Sequence, residues 1–276
     1  MIILDGKTLS QKILDDLKLK ISNFKLKPTL DIIIVGTDSA SQKYVALKQQ
    51  KAQSIGISGN VHQLSESSTT ADLLSLVNKL NKDDSITAFM VQLPLPSQID
   101  TEKVLANIDH KKDADGLNPF NLGLLFQKGS TGIASATACG IIKLLEEYKI
   151  DISGKNAVII GRSSEVSIPL FALLLGKNST VTICHSHTQN LKEICQKADI
   201  LISAVGKPKF LTKDFIREGA VVIDVGFGTD SNGQVSGDFD FDQVSKIASF
   251  ITPVPGGVGP MTIASLLFNT VQIAKN

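Results

Sequence analysis

Two blocks of this chain repeat one rhythm, an apolar β-rich run followed by a segment of helical period, and that rhythm restricts the fold more than any single residue does. In the first block the pattern predicts strands over 30–35, 60–64 and 86–93, with helices over 41–55 and 71–80 between them. A strand that reads as a near-continuous apolar run is buried on both faces, and the intervening helix is the crossover that parallel strands require. This block is therefore βαβαβ. After a predicted helix over 137–148, the second block has strands over 157–160, 181–184, 200–205 and 221–225, so it too is doubly wound. The expectation is an α/β protein of two doubly wound domains with a cleft between them, the second Rossmann-like.

The chain has 276 residues, more than the usual ~100–200 of one domain. The small, polar stretch 126–138, FQKGSTGIASATA, reads as the connecting loop. The segment 261–274 places Ile263, Leu266, Leu267 and Val271 at helical spacing and is expected to pack back on the first domain. The division expected is residues 1–120 with the carboxy-terminal helix 258–276 as one domain, and 121–257 as the other.

Charge narrows the partners. Lys and Arg number 28 against 27 Asp and Glu, which lacks the basic footprint of a binder of nucleic acid or anionic membrane, so a small-molecule ligand is expected. Three cysteines, Cys139, Cys184 and Cys195, without CxxC spacing support neither a disulfide framework nor a zinc ribbon. The amino-terminal stretch lacks a secretory pattern, and no apolar run approaches ~18 residues, which together point to the cytoplasm.

In the first block, Tyr44 and Lys48 are four apart on a predicted helix and project from one face. A lysine beside an aromatic ring and partly desolvated loses some preference for its charged form, which makes it a proton donor or acceptor near neutrality. Taken alone, the pair is more often a solvated lysine beside a half-buried tyrosine. Two further segments shift that balance. Gln92, Leu93 and Pro94 follow the third predicted strand, at the carboxyl edge where ligands of open parallel sheets lie, and an amide there can position a water. Asp115, before Gly116, reads either as a turn aspartate bonding its own backbone or as a carboxylate for an amino-substituted heterocycle.

In the second block, residues 158–166 read VIIGRSSEV, a strand ending in a glycine before a helix, the place of a dinucleotide pyrophosphate loop. Gly161, Arg162, Ser163 and Val166 are its candidate residues, although the GxGxxG spacing is absent. Where an NAD-binding fold carries an acid for the ribose hydroxyl, this chain has Cys184-His185-Ser186-His187-Thr188. With no carboxylate there, and with Arg162 and Ser186 nearby, the pocket accommodates a ribose phosphate, so NADP is expected over NAD. His185 and His187, as alternate strand residues, would share a face, but they lack a further ligand nearby and no metal is expected. Pro255, Gly256 and Gly257 belong to a stiff then permissive loop that can bring bare backbone close to a ligand or can simply connect domains.

Taken together, these segments resemble the bifunctional methylenetetrahydrofolate dehydrogenase/cyclohydrolases over nearly the whole chain. The likeness runs through YVALK at 44–48, VQLPLP at 91–96, KDADG at 112–116, GRS at 161–163, CHSHT at 184–188, GKP at 206–208, DVG at 224–226 and PVPGGVGPMT at 253–262. It implies a catalytic Lys48, Gln92 as its hydrogen-bonding partner, Asp115 as anchor of the pterin ring and Tyr44 as aromatic wall. Leu93, Pro94, Pro255, Gly256 and Gly257 would complete a site for tetrahydrofolate derivatives. It also implies NADP as the hydride acceptor and a homodimer formed through the NADP-binding domains.

The chain departs from that family pattern on the cofactor side. Ser135-Ala136-Thr137-Ala138 stands for the usual Pro-Cys-Thr-Pro, Ser167 follows Val166 where a glycine is usual, and Gly228 replaces an asparagine. The folate-side residues are intact. An added side chain at 167 is expected to obstruct the pyrophosphate, which makes hydrolase activity the better supported half and NADP binding the weaker one.

Overall fold

A computed structural model gives the structure, described for residues 1–127, 132–230 and 233–275. In chain order the elements are β1 (Ile2–Ile3), α1 (Gly6–Ser22), β2 (Leu30–Val35), α2 (Ser39–Ser54), β3 (Val61–Leu64), α3 (Thr70–Lys82), β4 (Ala88–Val91), α4 (Thr101–Asn107) and α5 (Pro119–Leu124). There follow α6 (Ala136–Glu147), β5 (Asn156–Ile160), α7 (Ser167–Gly176), β6 (Thr180–Cys184), α8 (Leu191–Cys195), β7 (Ile200–Ser203) and β8 (Val221–Asp224). The hairpin β9 (Gly228–Thr229) and β10 (Val235–Ser236), α9 (Phe241–Val244), β11 (Phe250–Ile251) and α10 (Val258–Ile273) end the chain. Two compact units result, one of Lys12–Ala136 with Ile263–Asn276, the other of Met1–Gln11 with Thr137–Thr262.

The first unit is built on a three-stranded parallel sheet in the order β3-β2-β4. All six residues of β2 are buried, as a central strand covered on both faces demands. Helix α2 starts because Asp38 accepts the Ser41 N–H at 2.8 Å. Helix α3 starts in a capping box in which Thr69 and Asp72 each accept the other's backbone N–H. Ile263, Leu266, Leu267 and Val271 of α10 join Leu14, Ile32, Ile34 and Val45 in one buried cluster.

The second unit carries a six-stranded parallel sheet in the order β1-β11-β8-β7-β5-β6. The two-residue strands β1 and β11, and the β9–β10 hairpin, are too short to leave a periodic signal. In both sheets the order reverses at the first strand of the βαβ run. β2 has β3 on one side and β4 on the other, and β5 has β6 and β7. That reversal opens a crevice at the strand's carboxyl end, where ligands bind in such sheets.

Strand ends came out shorter than the apolar runs suggest, because hydrophobic residues continue past the last ladder bond into the loops. β4 stops at Val91, β7 at Ser203 and β8 at Asp224. The expected loop 126–138 is also cut short by α6, which begins at Ala136. Its residues 128–131 lie outside the described part.

Candidate active site

Lys48 is a charged residue on the buried face of its helix, aligned with Val45 and Ala52 at spacings of three and four. It is only 3% exposed. Its Nζ donates to Gln92 Oε1 at 3.0 Å, lies 3.4 Å from Met90 Sδ and sits 4.7 Å from the centre of the Tyr44 ring. Gln92 is the residue after β4, tied to the sheet by its N–H to the Ile33 carbonyl at 2.8 Å. Its Nε2 donates to the Leu93 carbonyl at 2.6 Å, which turns Oε1 to the lysine. Burial lowers the proton affinity of Lys48, and the negative charge of Asp115 partly restores it. Burial in turn raises Asp115, with Lys48 opposing. Tyr44, Lys48, Gln92 and Asp115 are thus gathered in one unit.

The role of turn aspartate falls two residues before Asp115. Asp113 accepts the Gly116 N–H at 3.0 Å, the Asn118 N–H at 2.8 Å and Asn121 Nδ2 at 3.1 Å. Burial pushes its carboxyl up to about 6, against the pull of these donors. Gly116 has φ +69°, and a Cβ there would lie 2.4 Å from the Ala134 carbonyl carbon, so only glycine closes the turn. Asn269 of α10 donates from Nδ2 to the Ala114 and Ala134 carbonyls, both at 2.9 Å. Asp113, Asn269 and Met90 were not singled out in the sequence. Asp113 stood inside the KDADG motif, whereas nothing local marked Asn269. Leu93 is packed beside the cluster around Phe89, and its peptide bond to Pro94 is cis.

In the other unit, Gly161 follows β5 at the reversal of strand order, with φ +127°. Its N–H bonds the Cys184 carbonyl at 2.9 Å. A Cβ at 161 would stand 2.9 Å from the Ala204 carbonyl oxygen and 2.9 Å from Ser167 Oγ, so the strand passes here only as bare backbone. The loop enters the ten-residue helix α7 through Ser163, whose Oγ accepts the Val166 N–H at 3.2 Å and whose carbonyl accepts the Ile168 N–H at 3.1 Å. A glycine cradle at a switch point, leading into a helix amino end, fits a dinucleotide pyrophosphate. Arg162 and Ser186 are exposed at the ends of adjacent strands.

Two expectations for this unit change. Ser167 is fully buried and turned in beneath Gly161, so its side chain does not stand over the loop as an obstruction. Its Oγ has no hydrogen-bond partner among the described residues. His185 and His187 are not alternate strand residues, because β6 ends at Cys184. They lie in a turn where the His185 N–H bonds Thr188 Oγ1 at 2.8 Å and the His187 N–H bonds His185 Nδ1 at 3.2 Å. Gly228 makes room for a proline, since a Cβ there would come within 2.9 Å of Pro208 Cγ.

Pro255, Gly256 and Gly257 also lie in this unit, in a compact turn ahead of α10. The Val254–Pro255 bond is cis, Gly256 has φ +112°, its carbonyl accepts the Lys7 N–H at 2.9 Å, and the Gly257 N–H bonds the Pro253 carbonyl at 2.8 Å. Among the described residues no group of three or more His, Cys, Asp or Glu could hold a metal ion, and no helix is long and apolar enough to cross a membrane.

Residues 4–115 match the family model for the tetrahydrofolate dehydrogenase/cyclohydrolase catalytic domain, and residues 135–276 that for its NAD(P)-binding domain. The "Bifunctional protein FolD" of Campylobacter concisus is 49% identical over 284 residues, covering 100% of both chains. The crystal structure of the bifunctional enzyme FolD from Campylobacter jejuni superposes with a TM-score of 0.97 at 45% identity, covering 100% of this chain and 99% of that one. A Trypanosoma brucei methylenetetrahydrofolate dehydrogenase-cyclohydrolase, solved with NADP cofactor and inhibitor, gives 0.94 at 35% identity, covering 100% and 97%.

Proposed function

The chain belongs to the tetrahydrofolate dehydrogenase/cyclohydrolase family, and from that premise we propose how its residues divide the labour of two reactions. The protein is a bifunctional enzyme of folate one-carbon metabolism. It oxidises 5,10-methylenetetrahydrofolate to 5,10-methenyltetrahydrofolate with NADP, then hydrolyses the methenyl group to give 10-formyltetrahydrofolate. The observation that carries the residue assignment is the buried Lys48 amine, 3.0 Å from Gln92 Oε1 and within the field of Asp115.

In the hydrolytic step a water adds to the methenyl carbon and the ring nitrogen departs. Lys48, its proton affinity lowered by burial, takes a proton from the attacking water as the neutral amine and returns one to the departing nitrogen as the ammonium. Gln92 holds the amine in place, Asp115 accepts hydrogen bonds from the amino-substituted pterin, and Tyr44 supplies the aromatic wall. Leu93 and Pro94 of the same unit are further folate contacts. Folate binding is assigned to residues 1–120 with the helix 258–276, and NADP binding to 121–257.

Gly161, Arg162, Ser163, Val166 and Ser186 would hold NADP, which when bound accepts the hydride of the methylene carbon. Gly161 contributes bare backbone, Ser163 sets the start of α7, and Arg162 offers a charge to the ribose phosphate. The decisive experiment follows NADPH absorbance from methylenetetrahydrofolate, with NAD in parallel and methenyl hydrolysis in the same preparation. Hydrolysis without NADPH formation would restrict the protein to the cyclohydrolase half.

A homodimer formed through the NADP-binding domains is also part of this reading, favoured by exposed Leu175, Phe227 and Val235 in that unit. Light scattering that returns a monomer mass would exclude it. Cytoplasmic residence agrees with three free cysteines, two of them buried.

A further inference from the structure

The unit that carries Gly161 contains a pair of buried carboxylates that neither reaction employs. Asp224 ends β8 and is 4% exposed, while Asp238 follows β10 and is 0% exposed. Asp238 Oδ2 accepts from Ser203 Oγ at 2.7 Å and from the Val205 N–H at 2.9 Å, and Oδ1 accepts the Lys207 N–H at 2.7 Å. Asp224 Oδ1 accepts the Gly226 and Asp238 N–H groups, both at 2.9 Å, and Oδ2 accepts the Phe239 N–H at 3.0 Å. The fit has no slack. A Cβ at Gly226 would lie 2.2 Å from Asp238 Oδ1, and one at Gly237 would lie 2.1 Å from Asp224 Oδ2.

Burying two carboxylates side by side is costly, and an apolar pair would serve stability as well. What this pair provides is position. Among its donors, the Val205, Lys207 and Gly226 N–H groups belong to the loops that leave the carboxyl ends of β7 and β8, and β7 is the neighbour of β5, at the ligand edge of such a sheet. The loop held by Asp238 begins with Ala204, whose carbonyl oxygen lies 2.9 Å from where a Gly161 Cβ would stand. Pro208 of the same loop abuts Gly228.

We infer that Asp238 and Asp224 are positioning residues for NADP, acting through the loops 204–208 and 225–228, which they hold in register with the Gly161 turn. The inference rests on the NADP reading given above. It predicts a defect in cofactor affinity and none in folate hydrolysis.

The test uses the full chain. Asp238→Asn replaces one acceptor oxygen with an NH2 group that faces a backbone N–H, so one of the two loop contacts is lost. Ser203→Ala removes a single donor and leaves the carboxylate in place. NADPH affinity is titrated by fluorescence, with methenyl hydrolysis as the control for folding. Asp238→Asn should weaken NADPH by about tenfold or more and Ser203→Ala by about threefold, the scale of one hydrogen bond. Dehydrogenase KM for NADP should rise with kcat at saturation nearly kept, a split that general destabilisation would not produce. Asp238→Asn binding NADPH like the unaltered chain overturns the inference and leaves the functional reading standing. An unaltered chain that fails to bind NADPH overturns both. Should Asp238→Asn lose hydrolysis as well, Ser203→Ala decides, since unchanged affinity there is equally fatal and a selective loss supports the inference.

Discussion

Gln92 presents its carboxamide oxygen to the Lys48 ammonium at 3.0 Å because its own Nε2 is committed to the Leu93 carbonyl at 2.6 Å. The amide therefore cannot turn over without losing both bonds, opposing two donors at Lys48 and two acceptors at the Leu93 carbonyl. The lysine meets a neutral acceptor and not a second full charge, and its proton affinity stays on the lowered side set by burial.

Gln92→Glu tests that balance. A carboxylate at this position favours the ammonium, so the limb of the hydrolysis pH profile that reports Lys48 should move to higher pH. The rate at pH 7 should fall by roughly 10- to 100-fold, because less neutral amine is present to take the proton of the water. A profile with unchanged rate and position would remove Lys48 from the proton exchange.

Lys48→Met separates chemistry from stability. Between its lowered folded value and the ordinary 10.5, the folded chain binds fewer protons at Lys48 than the unfolded chain does, so this group lowers stability below that window and the penalty fades as pH rises through it. Methionine keeps the stem and removes the charge. The variant should melt at pH 7 no lower than the unaltered chain, while hydrolysis drops by about 10²- to 10⁴-fold. Thermal melts with single-turnover hydrolysis check both halves.

Asp113→Asn has a pH signature. Its folded carboxyl is pushed up to about 6 from 3.8, so the folded chain holds an extra proton between those values. The stability this group contributes is complete below pH 3.8 and is lost as pH rises through about 6. The stability of the unaltered chain relative to Asp113→Asn should therefore fall by about 2 kcal/mol from pH 4 to pH 7. Urea titrations at several pH values measure it, and a flat difference would assign the buried proton elsewhere.

What the amino acids announced in advance was mostly what local periodicity and turn chemistry encode. The apolar run 30–35 and the shared helical face of Tyr44 and Lys48 appear in the structure where periodicity places them. The pairing of β1 with β11 was invisible, since two-residue strands lie below any period and join residues almost 250 positions apart. Asn269 was illegible for the same reason, as its partners Ala114 and Ala134 are brought to it only by packing. Ser167 was visible as an unusual residue, but its place against Gly161, shared with Ala204 of the loop after β7, is made only by the folded sheet edge.

That direction yields the final prediction. Ser167 is 0% exposed and its Oγ lacks a hydrogen-bond partner among the described residues, so the hydroxyl is desolvated without return. Ser167→Ala should raise stability by about 1–3 kcal/mol, the cost of an unmatched buried polar group. NADPH affinity should not change, because the side chain lies beneath the Gly161 turn and not over it. The contrast is Gly161→Ala, whose methyl meets both Ser167 Oγ and the Ala204 carbonyl oxygen at 2.9 Å and is strained at φ +127°. Combining Gly161→Ala with Ser167→Gly relieves only one of those contacts, since the carbonyl belongs to the backbone of the loop after β7. The double variant should therefore stay defective in NADPH binding, and full recovery of affinity would show that the serine, and not the sheet edge, limits the space around the cofactor loop.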